Sequence, residues 1–273
     1  MANLSNEIWA QQSVRWQNVG LPTRPTPEDI ELMHSLAINQ NSKLEQVAVL
    51  GVTPEIIQMR WPDRVKLNAY DLSEEMIFSV WEPNCKVFSK VWQANWQSLP
   101  IGDGAIDLFI GDGCLTALAG IENGTAVFKE LFRCLKPGGR VVMRCFIRPE
   151  NKEPIEQIIA DVKSHKIKFF GSLKWRIAMA LCDDVTSTVM PSEICRIFNE
   201  SFPDRIALSR KTGWSLETIN TLDSYNNMTS PFTFPSMLEL QNIVKPLFNI
   251  QEIKYGSYEL SSRCPVISFF KKE

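Results

Sequence analysis

Short apolar runs alternate with segments of helical spacing in the middle of the chain. The apolar runs predict strands at Gln46–Gly51, Val65–Tyr70, Lys86–Val91, Ile106–Ile110 and Arg140–Ile147. The first, fourth and fifth runs are almost continuously apolar, which is typical of parallel strands covered on both faces. Helical spacing predicts helices between them at Pro54–Trp61, Glu74–Val80 and Gly124–Cys134. This order indicates an α/β fold with a doubly wound, mostly parallel sheet.

The alternation stops after Pro149. Residues 152–232 are predicted to be mainly helical, at Pro154–Ser164, Phe169–Leu181, Ser192–Phe202 and Ser215–Leu222, with a turn-rich segment at Asp223–Pro231. The tail returns to the α/β pattern with a helix at Pro235–Pro246 and strands at Asn249–Tyr255 and Pro265–Phe270. The pattern therefore predicts one domain, residues 46–151 and 233–273, with a helical insertion at 152–232 after strand five.

The first 45 residues are polar and contain one segment of helical spacing, Glu28–Ile38. Thr26 before Pro27 suits an N-cap followed by proline at the first helical position. We expect residues 1–45 to form an N-terminal helical segment that is part of a lid together with the insertion.

Composition narrows the function classes. The chain has 273 residues and a net charge of −2, which disfavours nucleic acid as a partner. It has neither an apolar N-terminal segment nor a run of 18 apolar residues, which disfavours a membrane location. Its seven cysteines show no C-x-x-C pair, as expected for free thiols in the cytoplasm. Neither His34 nor His165 has metal-ligand spacing, so no metal site is predicted.

Four segments carry functional information, and they follow one another along the chain. They are a strand and turn at Val47–Glu55, a strand with a terminal acid at Lys66–Met76, a polar stretch before Leu-Pro at Gln93–Phe109, and a Leu-Lys-Pro-Gly-Gly turn within Phe128–Met143. Their order and spacing resemble those of class I S-adenosylmethionine-dependent methyltransferases over residues 46–147 and 235–271. The resemblance implies a seven-stranded sheet with an antiparallel last strand, and S-adenosyl-L-methionine as the cofactor.

The first segment implies contact with the methionine end of the cofactor. Gly51 stands at the first glycine of the family's glycine-rich turn, and Thr53 and Glu55 stand at the next two. In the family this turn lets the backbone approach the ligand and points a helix N-terminus at its carboxylate. Alternatively, Thr53 caps the helix that begins at Pro54, and Glu55 favours its first turn.

The second segment implies a ribose site. Asp71 ends strand two about 20 residues after the turn, where a carboxylate can accept hydrogen bonds from both ribose hydroxyls. The alternative is a cap before a helix that starts at Ser73. Leu72 and Met76 would flank the adenine, although both also suit a plain core.

The third segment implies an adenine site. Asn95 occupies the position of the family's usual aspartate, and its amide oxygen can accept a hydrogen bond from the adenine amino group. Trp96 either covers the adenine face or belongs to the core.

Asp112 follows strand four and is the candidate catalytic residue. There it would lie beside the reactive methyl group and position the acceptor or remove a proton from it. An ordinary loop carboxylate is the alternative. Walls of the acceptor pocket would come from the insertion, at Phe169, Phe170, Trp175, Trp214 and Tyr225, unless these residues form only a helical core.

These observations predict a methyltransferase that acts on a small organic molecule. The Asp/Asn-Pro-Pro-Tyr motif that many nucleic-acid amino-group methyltransferases carry after strand four is absent here, which favours a small acceptor. A non-catalytic S-adenosylmethionine-binding or regulatory protein that kept the fold is the alternative. The sequence leaves open whether the chain forms a homodimer.

Overall fold

A computed structural model of the protein describes residues 19–38 and 43–273. The main sheet is formed by β1 Gln46–Leu50, β2 Lys66–Asp71, β3 Phe88–Gln93, β4 Ile106–Asp112, β5 Leu135–Arg144, β8 Phe248–Lys254 and β9 Val266–Lys271. A second, two-stranded sheet pairs β6 Thr188–Val189 with β7 Phe232–Thr233. The strand order of the main sheet is β3-β2-β1-β4-β5-β9-β8.

The strand directions confirm the predicted fold class. Strands β1 to β5 pair in parallel, and β9 is antiparallel to both of its neighbours, β5 and β8. Predicted and observed strand ends differ by at most two residues except in β5. That strand already pairs at Leu135 with Ile106, before the Pro-Gly-Gly turn, and ends at Arg144 instead of Ile147.

The helices also follow the sequence pattern, except that the helix at Arg205–Thr212 was not predicted. Their bounds are α1 Pro27–Ile38, α2 Pro54–Ile57, α3 Glu74–Val80, α4 Ile121–Cys134, α5 Ile155–Lys163, α6 Phe170–Leu181, α7 Pro191–Ser201, α8 Arg205–Thr212, α9 Leu216–Asn220 and α10 Met237–Val244. Short 3₁₀ helices lie at Cys114–Leu118, Thr221–Asn227 and Ser261–Arg263. The segment predicted to be turn-rich, 223–231, therefore begins within a 3₁₀ helix. Helix α2 ends at Ile57, four residues before the predicted end at Trp61.

Side chains of β1 alternate between two cores, because successive residues of a strand point to opposite faces. Val47 and Val49 pack with the side of the sheet that α1 covers, whereas Ala48 and Leu50 pack with the side that α4 covers. The insertion has its own aromatic core, which includes Trp175. The central strands of the sheet are thus buried on both faces, and their carboxyl ends are left to form a site.

The start of α1 is fixed by a reciprocal cap. Thr26 Oγ1 accepts a hydrogen bond from the Asp29 N–H at 3.0 Å, and Asp29 Oδ2 accepts one from the Thr26 N–H at 2.8 Å. The predicted N-cap at Thr26 is confirmed. The same contacts bury Asp29 completely, so its charge needs a partner inside the protein.

Candidate functional site

A cleft lies at the carboxyl ends of β1, β2 and β4, where α/β folds of this kind bind ligands. It brings together Gly51, Thr53, Asp71, Leu72, Met76, Asn95, Trp96 and Asp112, all of which the sequence predicted as site residues. Glu55 is the one predicted site residue that does not line it.

Gly51 forms the floor of the cleft directly after β1. Its φ of +90° is left-handed, a conformation that favours glycine over every other residue. Its N–H donates to the Tyr70 carbonyl at 2.8 Å, which holds the turn against β2. A Cβ at this position would lie 3.7 Å from Asp71 Oδ2 and 3.9 Å from Trp96 Cζ2. The turn therefore places bare backbone beside both predicted cofactor contacts.

The Asp71 carboxylate is half-buried in the cleft and has no cation beside it among the described residues. Asp71 Oδ1 accepts the Ser73 N–H at 2.9 Å, and Ser73 Oγ caps α3 through the Met76 N–H at 3.2 Å. Burial raises the pKa of Asp71 to about 6, against the opposing effect of these backbone N–H groups. Within residues 19–38 and 43–273, no lysine or arginine pairs with this carboxylate. The site can thus accept hydrogen bonds from hydroxyl groups of a ligand.

Asn95 and Trp96 line the cleft after β3, and Trp96 lies beside the glycine turn. Asn95 Oδ1 accepts the Gln97 N–H at 2.9 Å, which fixes the side-chain amide and leaves its oxygen a second lone pair. Trp96 Nε1 donates to the Tyr70 carbonyl at 2.6 Å and thereby holds the indole at the cleft. Trp96 packs only partly against the core, so both interpretations of this residue describe part of its environment.

Thr53 and Glu55 lie at different places relative to the cleft. Thr53 lines the cleft, but its side chain caps nothing: its carbonyl accepts the Ile56 and Ile57 N–H groups instead. Glu55 Oε1 accepts a hydrogen bond from Arg24 Nε at 2.8 Å. This pairing was not predicted, because Arg24 lies in the segment before α1. This ion pair holds the carboxylate outside the cleft lining.

Asp112 is one partner of a fully buried arginine. Its Oδ1 and Oδ2 accept from Arg144 Nε and Nη2 at 2.5 and 3.0 Å. Burial raises the pKa of Asp112, and the Arg144 guanidinium opposes that effect. Protonation of Asp112 would leave the guanidinium without its main partner, so the pair favours an ionised carboxylate.

The same guanidinium ties three parts of the chain together. Arg144 Nη1 lies 3.3 Å from Asp29 Oδ2 and donates to the Pro22 carbonyl at 2.8 Å. Tyr258 donates its hydroxyl hydrogen to Asp29 Oδ1 at 2.9 Å. Arg144, Asp29 and Tyr258 were missed at the sequence level. The available signal was an arginine inside the apolar strand run Arg-Val-Val-Met-Arg-Cys-Phe-Ile.

The opposite end of the cleft is built mainly by the insertion. Lys174, Trp175, Tyr225 and Phe232 line it together with Thr116 and Phe146. Trp175 and Tyr225 were predicted as walls and lie there. The other predicted walls, Phe169, Phe170 and Trp214, line a second cavity, which lies beside the N-terminal end of α6.

The described residues carry neither a metal-binding cluster nor a membrane-spanning helix. Those residues hold no group of three or more His, Cys, Asp or Glu side chains arranged to bind a metal ion. None of their helices combines the length and the apolar character that a membrane span requires.

Comparison with known proteins gives one family match. Residues 51–143 match the family described as a methyltransferase domain. No curated protein matches the chain.

Solved structures share the fold at low sequence identity. A Rhodobacter sphaeroides protein named as a zinc-dependent alcohol dehydrogenase has a TM-score of 0.64 and 11% identity, and the match covers 100% of both chains. The N-methyltransferase NodS from Bradyrhizobium japonicum, solved with S-adenosyl-L-homocysteine, has a TM-score of 0.52 and 8% identity over 97% of this chain and 99% of its own. A Haloferax volcanii methyltransferase complexed with the Trm112 activator has a TM-score of 0.55 and 11% identity over 97% and 98%. At these identities the likeness shows the fold.

The strand order, the cleft and the match over residues 51–143 together define a class I methyltransferase domain. The match over residues 51–143 confirms the resemblance to methyltransferases seen in the sequence, and it indicates S-adenosylmethionine as the cofactor.

Proposed function

We propose that this protein transfers a methyl group from S-adenosylmethionine to a small organic molecule. The half-buried Asp71 carboxylate beside the Gly51 turn is the observation that carries this proposal. Partial burial of a carboxylate without a cation is unfavourable unless a ligand supplies donors. The two ribose hydroxyls of the cofactor are donors of the right kind at the right edge of the sheet.

The other cleft residues suit the remaining parts of the cofactor. Asn95 Oδ1 would accept from the adenine amino group, and Trp96, Leu72 and Met76 would contact the ring. The backbone of Gly51 and the hydroxyl of Thr53 would contact the methionine end. Glu55 is left out of this assignment, because its carboxylate pairs with Arg24.

When bound, S-adenosylmethionine supplies an electrophilic methyl group on a sulfonium sulfur. The contribution of the protein is then alignment of the acceptor and exclusion of water. Trp175, Tyr225 and Phe232 provide apolar walls for both tasks.

We propose that Asp112 is a positioning residue and does not remove a proton. Both of its carboxylate oxygens already accept hydrogen bonds from Arg144. A proton taken by Asp112 would weaken that ion pair inside the protein, which opposes general-base action. This replaces the part of the sequence hypothesis that gave Asp112 a role in proton removal.

The acceptor is proposed to be small because side chains of the insertion line the end of the cleft where the acceptor would bind. Lys174, Trp175 and Tyr225 come from residues 152–232, and Val19 and Thr23 come from the N-terminal part. We propose that these two parts together form the lid of the domain. The net charge of −2 favours neither a nucleic acid nor another polyanion as the acceptor.

Isothermal titration with S-adenosyl-L-homocysteine tests the proposed function. We expect one site per chain with a micromolar dissociation constant. Adenosine and methionine serve as fragments of the ligand, and each should bind more weakly than S-adenosyl-L-homocysteine. Absence of binding would contradict the proposal and favour a scaffold that kept the fold alone.

Replacing Asn95 tests the adenine contact. Asn95→Leu removes the acceptor and should weaken S-adenosyl-L-homocysteine binding by about two- to tenfold, the usual net effect of one neutral hydrogen bond. Asn95→Asp keeps an acceptor at the same place and is the matched control, with an affinity close to that of the wild-type protein. Equal affinities for Asn95→Leu and Asn95→Asp would remove this contact from the account.

A further inference from the structure

Lys174 is a buried lysine that lines the insertion end of the cleft. It lies on α6 with 6% of its surface exposed. Its Nζ is 5.6 Å from the centre of the Tyr225 ring and 5.7 Å from that of Phe170. Among the residues that the structure describes, no carboxylate pairs with it, and burial lowers its pKa to about 8. A buried ammonium group surrounded by rings calls for a negative partner.

Two further polar groups that line the cleft have no hydrogen-bond partner within the described part of the chain. Trp175 Nε1 is a buried donor without an acceptor, and Thr116 Oγ1 is a buried hydroxyl without a partner. Both residues line the same cleft. The Lys174 ammonium and the Trp175 indole N–H therefore both lack an acceptor among the described residues, and leaving buried donors unpaired is costly.

We propose that the Lys174 end of the cleft binds a carboxylate group of the methyl acceptor. The inference rests on the proposed function, since it takes the occupant of this end to be the acceptor. A carboxylate supplies both the missing negative charge and the missing acceptor oxygens. Tyr225, Phe232 and Phe146 would contact a planar, apolar body attached to it.

This arrangement also selects against other acceptors. An amine would place a second positive charge beside Lys174 and would be repelled. A neutral amide would supply an acceptor oxygen but no charge, and its bond to Lys174 would be weaker.

The second cavity offers a matched control, because Lys174 lies in the wall between it and the cleft. That cavity is also lined by Lys168, whose side chain is exposed and does not line the cleft. A carboxylate bound in the cleft depends on Lys174 alone, whereas one bound in the second cavity would depend on both lysines.

The test uses benzoate, benzamide and benzylamine as probes of one size and three charges. Their dissociation constants are measured by ligand-observed NMR on the full chain, with and without saturating S-adenosyl-L-homocysteine. We expect benzoate to bind about tenfold more tightly than benzamide, the usual gain for a charged hydrogen-bond partner, and benzylamine to bind most weakly. Lys174→Met should abolish the preference for benzoate, and Lys168→Met should keep it.

Three results would overturn the inference: no preference for benzoate in the wild-type protein, a preference that survives Lys174→Met, or one that disappears in Lys168→Met. Lys174→Met replaces an unpaired charge by an apolar side chain of similar length, so its melting temperature should not fall. Should that variant fail to fold, Lys174→Gln gives the same comparison. Binding of S-adenosyl-L-homocysteine without a benzoate preference refutes this inference alone, whereas no binding of S-adenosyl-L-homocysteine refutes the proposed function.

Discussion

Arg144→Met is expected to lower the free energy of unfolding by about 3–5 kcal/mol, the usual loss when one partner of a buried ion pair is removed. Arg144 and Asp29 are fully buried, and only 6% of the Asp112 side chain is exposed. Methionine fills similar space but leaves both carboxylates without their cation. Urea unfolding at pH 7.5, followed by circular dichroism, measures the loss.

Acidification should reduce this loss. Without the guanidinium, burial acts unopposed and raises the pKa of Asp112 further above that of the unfolded chain. The folded variant then binds a proton at a higher pH than the unfolded chain does. The loss in free energy of unfolding caused by Arg144→Met therefore becomes smaller as the pH falls from 7.5 to 5.5.

An exposed arginine provides the matched control for Arg144→Met. Arg196 pairs with Glu193 and Glu200 on the surface of α7, with half of its side chain exposed. Arg196→Met should change the free energy of unfolding by less than about 1 kcal/mol, because solvent screens such pairs. Equal losses in the two variants would show that the buried network around Arg144 adds nothing to stability.

Asp71→Asn is expected to weaken S-adenosyl-L-homocysteine binding while stabilising the ligand-free protein. The loss of a charged partner to the ribose hydroxyls costs about 1.5–3 kcal/mol, which is tenfold or more in affinity. Asparagine keeps the shape and still accepts the Ser73 N–H. Titration calorimetry and thermal unfolding at pH 7.5 measure the two effects.

The stability gain follows from the raised pKa of Asp71. The folded-state value of about 6 exceeds the reference value of 3.8, so protons favour the folded protein. Stability linked to this group is present at pH 4, is lost as the pH rises through about 6, and is missing at pH 7.5. Asp71→Asn should therefore stabilise the protein by up to about 2–3 kcal/mol at pH 7.5, at about 1.4 kcal/mol per pKa unit, and by little at pH 4.

The wild-type affinity should also fall below pH 6, because a protonated Asp71 accepts the ribose hydroxyls poorly. Asp103→Asn is the control. Asp103 is an exposed aspartate paired with Arg133, far from the cleft lining. The Asp103→Asn substitution should change neither the affinity for S-adenosyl-L-homocysteine nor the pH dependence of that affinity. An unchanged dissociation constant in Asp71→Asn would remove Asp71 from the cofactor site.

Most of the sheet could be predicted because buried parallel strands need apolar residues at nearly every position. The exception is β5, whose start at Leu135 depends on pairing with Ile106 before a turn that its own sequence would place outside the strand. Helix α8 was missed for another reason. Leu208 is its one buried residue, so it has no apolar face that periodicity can detect.

The candidate site could be predicted in part, because its residues follow strand ends in the order of the chain. Gly51 follows β1, Asp71 ends β2 and Asn95 lies two residues after β3. Parallel strands bring such positions to one edge. Ion pairs between residues far apart in the sequence could not be predicted. Arg144 pairs with Asp29, which lies more than a hundred residues away in the chain. Lys174 has no carboxylate partner in the described part of the chain, and the sequence does not indicate this.

A crystal structure of the protein with S-adenosyl-L-homocysteine tests the central claim most directly. The account predicts the ribose hydroxyls within hydrogen-bonding distance of the Asp71 carboxylate, the adenine beside Trp96 with its amino group at Asn95 Oδ1, and the thioether sulfur facing the Lys174 end of the cleft. A ligand bound elsewhere, or in the cleft with its ribose away from Asp71, would contradict the account.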